Sequence, residues 1–160
     1  EYPQDINLLN ECREKLEKLI DKICYDFNYY TPRMYRENAR KDYLSLAKCK
    51  KRPAKRIRKA VKQQLQYVRR DLKYVDEFLA LEDVKLTEKQ SELLDVICKV
   101  YAQQKYMFDN KTHSVENRIV SISQPFIRPI VRGKAKSPVE FGAKLDLSVD
   151  ENGMARVDKL

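Results

Sequence analysis

PAKRIRKAVKQQLQYVRRDLKYVDEFL, residues 53–79, is the stretch on which the reading of the fold turns. Ile57, Val61, Leu65, Val68, Leu72, Val75 and Leu79 recur at steps of four, four, three, four, three and four. That spacing keeps them on one stripe of a helix, while Lys, Arg, Gln and Asp take the other positions. At about 1.5 Å per residue such a helix reaches on the order of 40 Å. Pro53 suits its first turn, where the missing N–H would have no partner in any case.

Upstream, Ile6, Leu9, Leu16, Leu19, Ile20, Ile23 and Phe27 predict a first helix from Ile6 to Phe27, with Asp5 accepting from its free amides. Tyr29-Tyr30-Thr31-Pro32 interrupts it, and a second helix is expected from Arg33 to about Cys49. Downstream, Thr87-Glu88-Lys89-Gln90 reads as a capping box that opens a fourth helix ending near Asp109-Asn110. A short connection makes helices three and four an antiparallel hairpin, whose apolar groove the first two helices are expected to cover. Residues 1–110 thus read as a helical domain.

From Lys111 the period changes. Ile119-Val120-Ser121-Ile122-Ser123 alternates, and Phe126 to Gly133 is broken by Pro125 and Pro129, which predicts extended, partly looped chain. Phe141 to Asp158 reads as a β-hairpin turning at Asp150-Glu151-Asn152-Gly153. A lone hairpin is marginal in water, so these strands call for a larger sheet. The fold class is therefore mainly α, an antiparallel bundle followed by a basic linker and β-hairpin over residues 111–160.

Composition narrows function. A formal charge of +9 over 160 residues favours a polyanionic partner, because Lys and Arg that neutralise phosphates release counterions. No apolar run approaches the roughly 20 residues that span a bilayer, and a cytoplasmic bacterial setting with no membrane partner is expected. Cys12, Cys24, Cys49 and Cys98 form no C-x-x-C pair, and His113 is the single histidine, so thiols in a reducing cytosol fit better than zinc.

The basic runs lie at Lys50-Lys51-Arg52, Lys55-Arg56, Arg58-Lys59 and Arg69-Arg70, and Lys48 to Lys59 holds no acidic residue. Lys50, Lys51, Arg52, Lys55 and Arg56 are candidate phosphate contacts, as are Arg128, Arg132, Lys134 and Lys136 in the second acid-free stretch. Tyrosines at 29, 30, 35, 43, 67, 74, 101 and 106 could stack on bases, although aromatic residues at helical spacing more often serve a core. Asp146, Asp150 and Asp158 are conceivable metal ligands, yet turn and surface chemistry explains them more simply. His113 has no legible partner for base catalysis, and no phosphate loop, nucleophile elbow or His-Glu-x-x-His motif occurs. No catalytic or metal-binding residue is assigned.

Two longer stretches, QQKYMFDNKTHS (103–114) and RIVSISQPFIRPIVRGK (118–134), resemble the middle of bacterial insertion-sequence transposases with a DDE catalytic core. YPQDINLLN (2–10), RKDYL (40–44) and PVEFGAKL (138–145) resemble the same family. The resemblance implies a ribonuclease-H-like core interrupted by a long helical insertion, with the hairpin supplying core strands. It also implies that the first catalytic aspartate precedes Tyr2 and that the second aspartate and the glutamate follow Leu160. An internal fragment, inactive alone, is then expected to contribute DNA contacts and homodimer contacts. No cofactor is expected in this stretch, whereas the complete enzyme would use Mg2+ for strand transfer. The alternatives are a free-standing helical nucleic-acid-binding module and a coiled-coil interaction module pairing through helices three and four.

Overall fold

The computed structural model describes residues 5–131, 139–143 and 146–159. Four helices carry most of it: α1 (Asp5–Asp26), α2 (Arg36–Ala47), α3 (Ala54–Leu79) and α4 (Glu88–Asp109). Contacts between their side chains set the directions. Gln104 on α4 reaches Asp5 on α1, Arg58 on α3 reaches the Phe108 carbonyl on α4, and Arg56 on α3 reaches the Ser45 carbonyl on α2. Hence α1 and α3 run one way, and α2 and α4 run the other.

The apolar stripe of α3 is filled within the chain. Leu65, Val68 and Val75 are buried against Leu9, Cys12, Leu16, Leu19 and Ile20 of α1 and Ile97 and Val100 of α4. Each large apolar side chain removed from water there contributes about 1.5–3 kcal/mol. Helix α1 lies in the groove of the α3–α4 pair, whereas α2 packs chiefly on α3. The expectation that both leading helices cover that groove is corrected accordingly. The reason is composition: α1 buries Leu8, Leu9, Cys12, Leu16, Leu19, Ile20, Ile23 and Cys24, but α2 buries only Ala39 and Leu46. The stripe also frays at its ends, where Ile57 and Leu79 are exposed.

A polar seam joins α2 to the other helices. Tyr67 donates to Asp42 at 2.7 Å, Gln64 to the Ala39 carbonyl at 3.1 Å, and Tyr43 to Asn7 at 3.1 Å. Arg13, 2% exposed, donates to Glu17 at 2.5 Å and to Asn10 at 2.9 Å. Asp71, fully buried, pairs with Arg70 at 2.7 Å, and Arg70 also donates to the Met34 carbonyl. Removing either member of a buried pair leaves an uncompensated charge. These two pairs lie within α1 and α3, and the bonds that join Tyr67, Gln64 and Asn7 to α2 are the ones that fix how it docks.

Local boundaries depart from expectation in small ways. Asp5 lies inside α1, and its carboxylate accepts from Gln104 at 2.9 Å and from Arg118 instead of capping α1. Helix α2 starts at Arg36, since Tyr35 before it is held in the left-handed region. Pro53 is the residue before α3 and not part of its first turn. The capping box is present as read: Thr87 Oγ1 accepts from the Gln90 amide, and Gln90 Oε1 accepts from the Thr87 amide at 2.8 Å.

After α4 the chain returns to the helices. Ile119, Val120 and Ile122 are buried, and the Gln103 side chain exchanges two hydrogen bonds with the Ile119 backbone, at 2.7 and 2.9 Å. A side-chain amide thus takes the place of a neighbouring strand, which is why the alternation at 119–123 yields an extended segment outside any sheet.

Two separate antiparallel pairs follow. β1 (Ile127–Val131) pairs with β2 (Val139–Ala143), and β3 (Asp146–Val149) pairs with β4 (Ala155–Lys159). The expected single hairpin from Phe141 to Asp158 is therefore corrected: Phe141 to Ala143 belong to the first pair, opposite Pro129 to Ile127. Pro129, having no N–H to give, is tolerable because β1 borders a single strand. The turn itself is as read. Asp150 Oδ1 accepts from the amides of Asn152 and Met154 at 2.9 and 2.8 Å, and Gly153 takes a φ of 75°.

Two outcomes follow. Thr87→Ala removes one half of the capping box and is expected to lower stability by about 1 kcal/mol in urea melts. Burial lifts the Asp71 carboxyl from 3.8 to about 6, with Glu17 also raising it and Arg70 and Arg13 opposing. The folded state then binds the Asp71 proton more tightly than the unfolded chain does, so this group's contribution to stability falls as pH rises from about 4 to about 6. Asp71→Asn is expected to remove that fall, on the order of 2–3 kcal/mol, from the pH dependence of the urea midpoint. An unchanged slope would mean that another group carries it.

Candidate nucleic-acid interface

Between Asp42 and Asp71 the sequence has eleven basic residues and no acidic one. The structure divides them between two tasks. Arg52 Nη2 donates to the Ala47 carbonyl at 2.7 Å and its Nε to the Cys49 carbonyl at 3.2 Å; Arg56 donates to the Ser45 carbonyl at 3.1 Å. Arg58 donates to the Phe108 carbonyl at 2.9 Å, with its guanidinium 4.0 Å from the centre of that ring. These arginines therefore neutralise the carbonyl ends of α2 and α4, where the helix dipoles concentrate negative charge.

The remaining cations face water. Lys55, Lys59, Lys62, Arg69 and Lys73, with Gln66 among them, step along α3 by four, three, four, three and four, and all are exposed. They occupy the side of α3 opposite Leu65, Val68 and Val75 and extend for about 27 Å. Lys73 is paired with Glu77 at 3.4 Å; Lys55, Lys59, Lys62 and Arg69 make no ion pair among the described residues. Lys55, Lys59 and Lys62 also line a surface groove of about 890 Å3 between the end of α2 and the start of α3. Lys50 and Lys51 stand exposed on the connection beside it. Such a row can meet successive phosphates, and its affinity would come from counterion release.

The structure thus separates the residues singled out from sequence. Lys50, Lys51 and Lys55 are exposed, while Arg52 and Arg56 are engaged with helix ends. Arg128 is half-buried and donates to the Ile127 carbonyl at 3.1 Å and to the Pro125 carbonyl. Arg132, Lys134 and Lys136 lie outside the described residues. Lys62 and Lys73 were missed; their signal was the phase of α3 opposite its apolar stripe, and not a local run of charge.

Other features carry less chemistry. A cleft of about 360 Å3 at the end of α4 is floored by Ala54, Ile57, Val61 and Met107, with His113 exposed at its edge. Among the described residues no three His, Cys, Asp or Glu side chains converge as metal ligands. The side chains of Asp146 and Asp158 lie outside the described residues, and Asp150 is committed to its turn. All four cysteines are free, and burial pushes the Cys12 thiol up to about 12, which keeps it protonated and unreactive. No described helix is long and apolar enough to cross a membrane. No protein-family model, curated protein or solved structure matches this chain.

The two sets of cations should separate in experiment. Arg58→Ala is expected to cost about 1 kcal/mol of stability through the loss of the Phe108 contacts. Lys59→Ala, on the solvent row, should leave the urea midpoint within experimental error. Equal losses in both variants would erase the distinction.

Proposed function

We propose that the chain is a nucleic-acid-binding helical insertion, with adjoining strands, of a DDE-type transposase, and that it holds the DNA backbone on the outer row of α3. The observation that carries the binding is that row: unpaired, exposed cations at helical spacing on a face with no carboxylate between Asp42 and Asp71. Reversed charge or interleaved acids would repel or mask a phosphate; their lack over such a length favours a polyanion. The contact is one of backbone and not of sequence, because lysines meet phosphates as point charges without reading base edges.

Support for the transposase reading is the resemblance over residues 103–134, together with the character of the β segment. Two-stranded sheets with exposed Val149 and Met154 are marginal by themselves and suit strands of a larger core. In that setting the metal-binding carboxylates and their Mg2+ belong to the complete enzyme, and the insertion's work is to position DNA. The coiled-coil alternative loses its seam, because the apolar face of α3 is occupied by α1.

Four unpaired cations on the row imply a slope of log affinity against log salt of about −3.6 for duplex DNA. Lys59→Glu with Lys62→Glu should weaken binding at least tenfold and flatten that slope, alike for unrelated sequences. Fluorescence anisotropy across a salt series would check this; binding that ignores both salt and the substitutions would refute the reading.

A further inference from the structure

A chain of cation–π contacts starts at the Arg69 end of the α3 row and leads outward. Tyr67, anchored through its hydroxyl to Asp42 at 2.7 Å, lies under the Arg70 guanidinium at 5.3 Å from ring centre. Arg70, held by Asp71 and the Met34 carbonyl, lies 5.5 Å from the centre of the Tyr35 ring. Arg33 lies over the same ring at 4.6 Å. Two of these four side chains, Tyr67 and Arg70, are tied to the fold by hydrogen bonds. Arg33 is exposed and makes no hydrogen bond or ion pair among the described residues.

The backbone at this point is held in an uncommon form. Tyr35 takes φ 50° and ψ 36°, a left-handed conformation unusual for a bulky residue outside glycine positions, immediately before α2. Such conformations persist where the surroundings fix them, and they cluster at ligand-binding positions. Nearby Tyr30 is 99% exposed, which no packing need explains.

We infer that the outer end of this contact chain, Arg33 on Tyr35, is a stacking platform for an unpaired nucleobase whose strand continues along the α3 row. Planar guanidinium and phenol faces offer a base what a phosphate contact cannot, an apolar, polarisable surface with donors at its edge. The α2–α3 pairing sets Met34 against Arg70, so the platform adjoins the Arg69 end of the row. A nucleic acid lying on α3 would therefore present its next nucleotide to Arg33. This inference rests on the DNA-binding reading and deepens it: the favoured substrate is DNA with a duplex region and a single-stranded tail. A protein partner would also welcome Tyr and Arg, but the neighbouring row of cations favours the polyanion.

The test compares a blunt duplex with the same duplex carrying a single-stranded oligothymidine tail. Parent protein is expected to bind the tailed DNA about tenfold more tightly and to show quenched tyrosine emission with it. Arg33→Lys keeps the charge and removes the planar face, so it should abolish the preference while leaving blunt-duplex affinity unchanged; Tyr35→Phe should retain it. An unchanged preference in Arg33→Lys, no preference in the parent, or equal loss on both DNAs would each overturn the platform. Failure of the α3 reading appears differently, as blunt-duplex binding unaffected by Lys59→Glu and Lys62→Glu, and is scored on the blunt DNA alone.

Discussion

Helix α3 is long enough that each of its sides must be satisfied by something different, and that constraint organises the rest of the molecule. One side is apolar and takes α1 and α4; a second is polar and takes α2 through Gln64 and Tyr67 and the segment before α2 through Arg70; the third is cationic and faces water. Because α1 already fills the first side, α2 adds only a small apolar contact, Leu46 against Ile6 and Ala60. Its docking also depends on polar contacts, the buried Gln64–Ala39 and part-buried Tyr67–Asp42 hydrogen bonds, which cost more to break than they gain when formed. The core therefore supplies most of the stability, and the polar seam determines the arrangement.

The same logic explains how the basic residues from Lys48 to Lys59 can crowd one end of a bundle. Positive side chains at a helix N-terminus are unfavourable by themselves, since the free amides there already carry partial positive charge. At the start of α3 this is offset by the carbonyl ends of α2 and α4, which arrive at the same place because both run against α3. Arg52, Arg56 and Arg58 answer those carbonyls, and the lysines between them remain directed at solvent. Antiparallel topology thus creates the local negative field that allows the basic stretch to fold, and folding in turn sorts its members into structural and available cations.

Helix periods and the Thr87 capping box were legible because they depend on residues within a few positions of each other. What α1 and α2 each cover was not legible, since it depends on which helix offers more apolar area to a groove formed by the other two. The fate of Ile119 to Ser123 was hidden for a similar reason: its alternation is real, but its backbone partner is the Gln103 side chain and not a strand. Among the cations, sequence runs drew attention to Arg52 and Arg56, which fold onto carbonyls, and passed over Lys62, which stands alone in sequence. Run length measures local density of charge, whereas availability depends on helical phase and on nearby helix ends.

The β segment shows the same dependence on context. Pro129 limits β1 to a position with few neighbours, and the Asp150–Gly153 turn fixes the register of β3 and β4 by purely local bonds. Local bonds of this kind settle pairing within a hairpin but bury little apolar surface, so the sheets gain little stability from their own side chains. The helices differ, because α1 is enclosed on several sides and needs nothing further. Among the described residues a well-buried bundle is joined to two-stranded sheets with exposed apolar side chains, as the proposed insertion into a sheet domain would leave them. That contrast in burial, and not the charge, is what sets the transposase-insertion proposal apart from a free-standing basic bundle, for which the additional strands would serve no packing purpose.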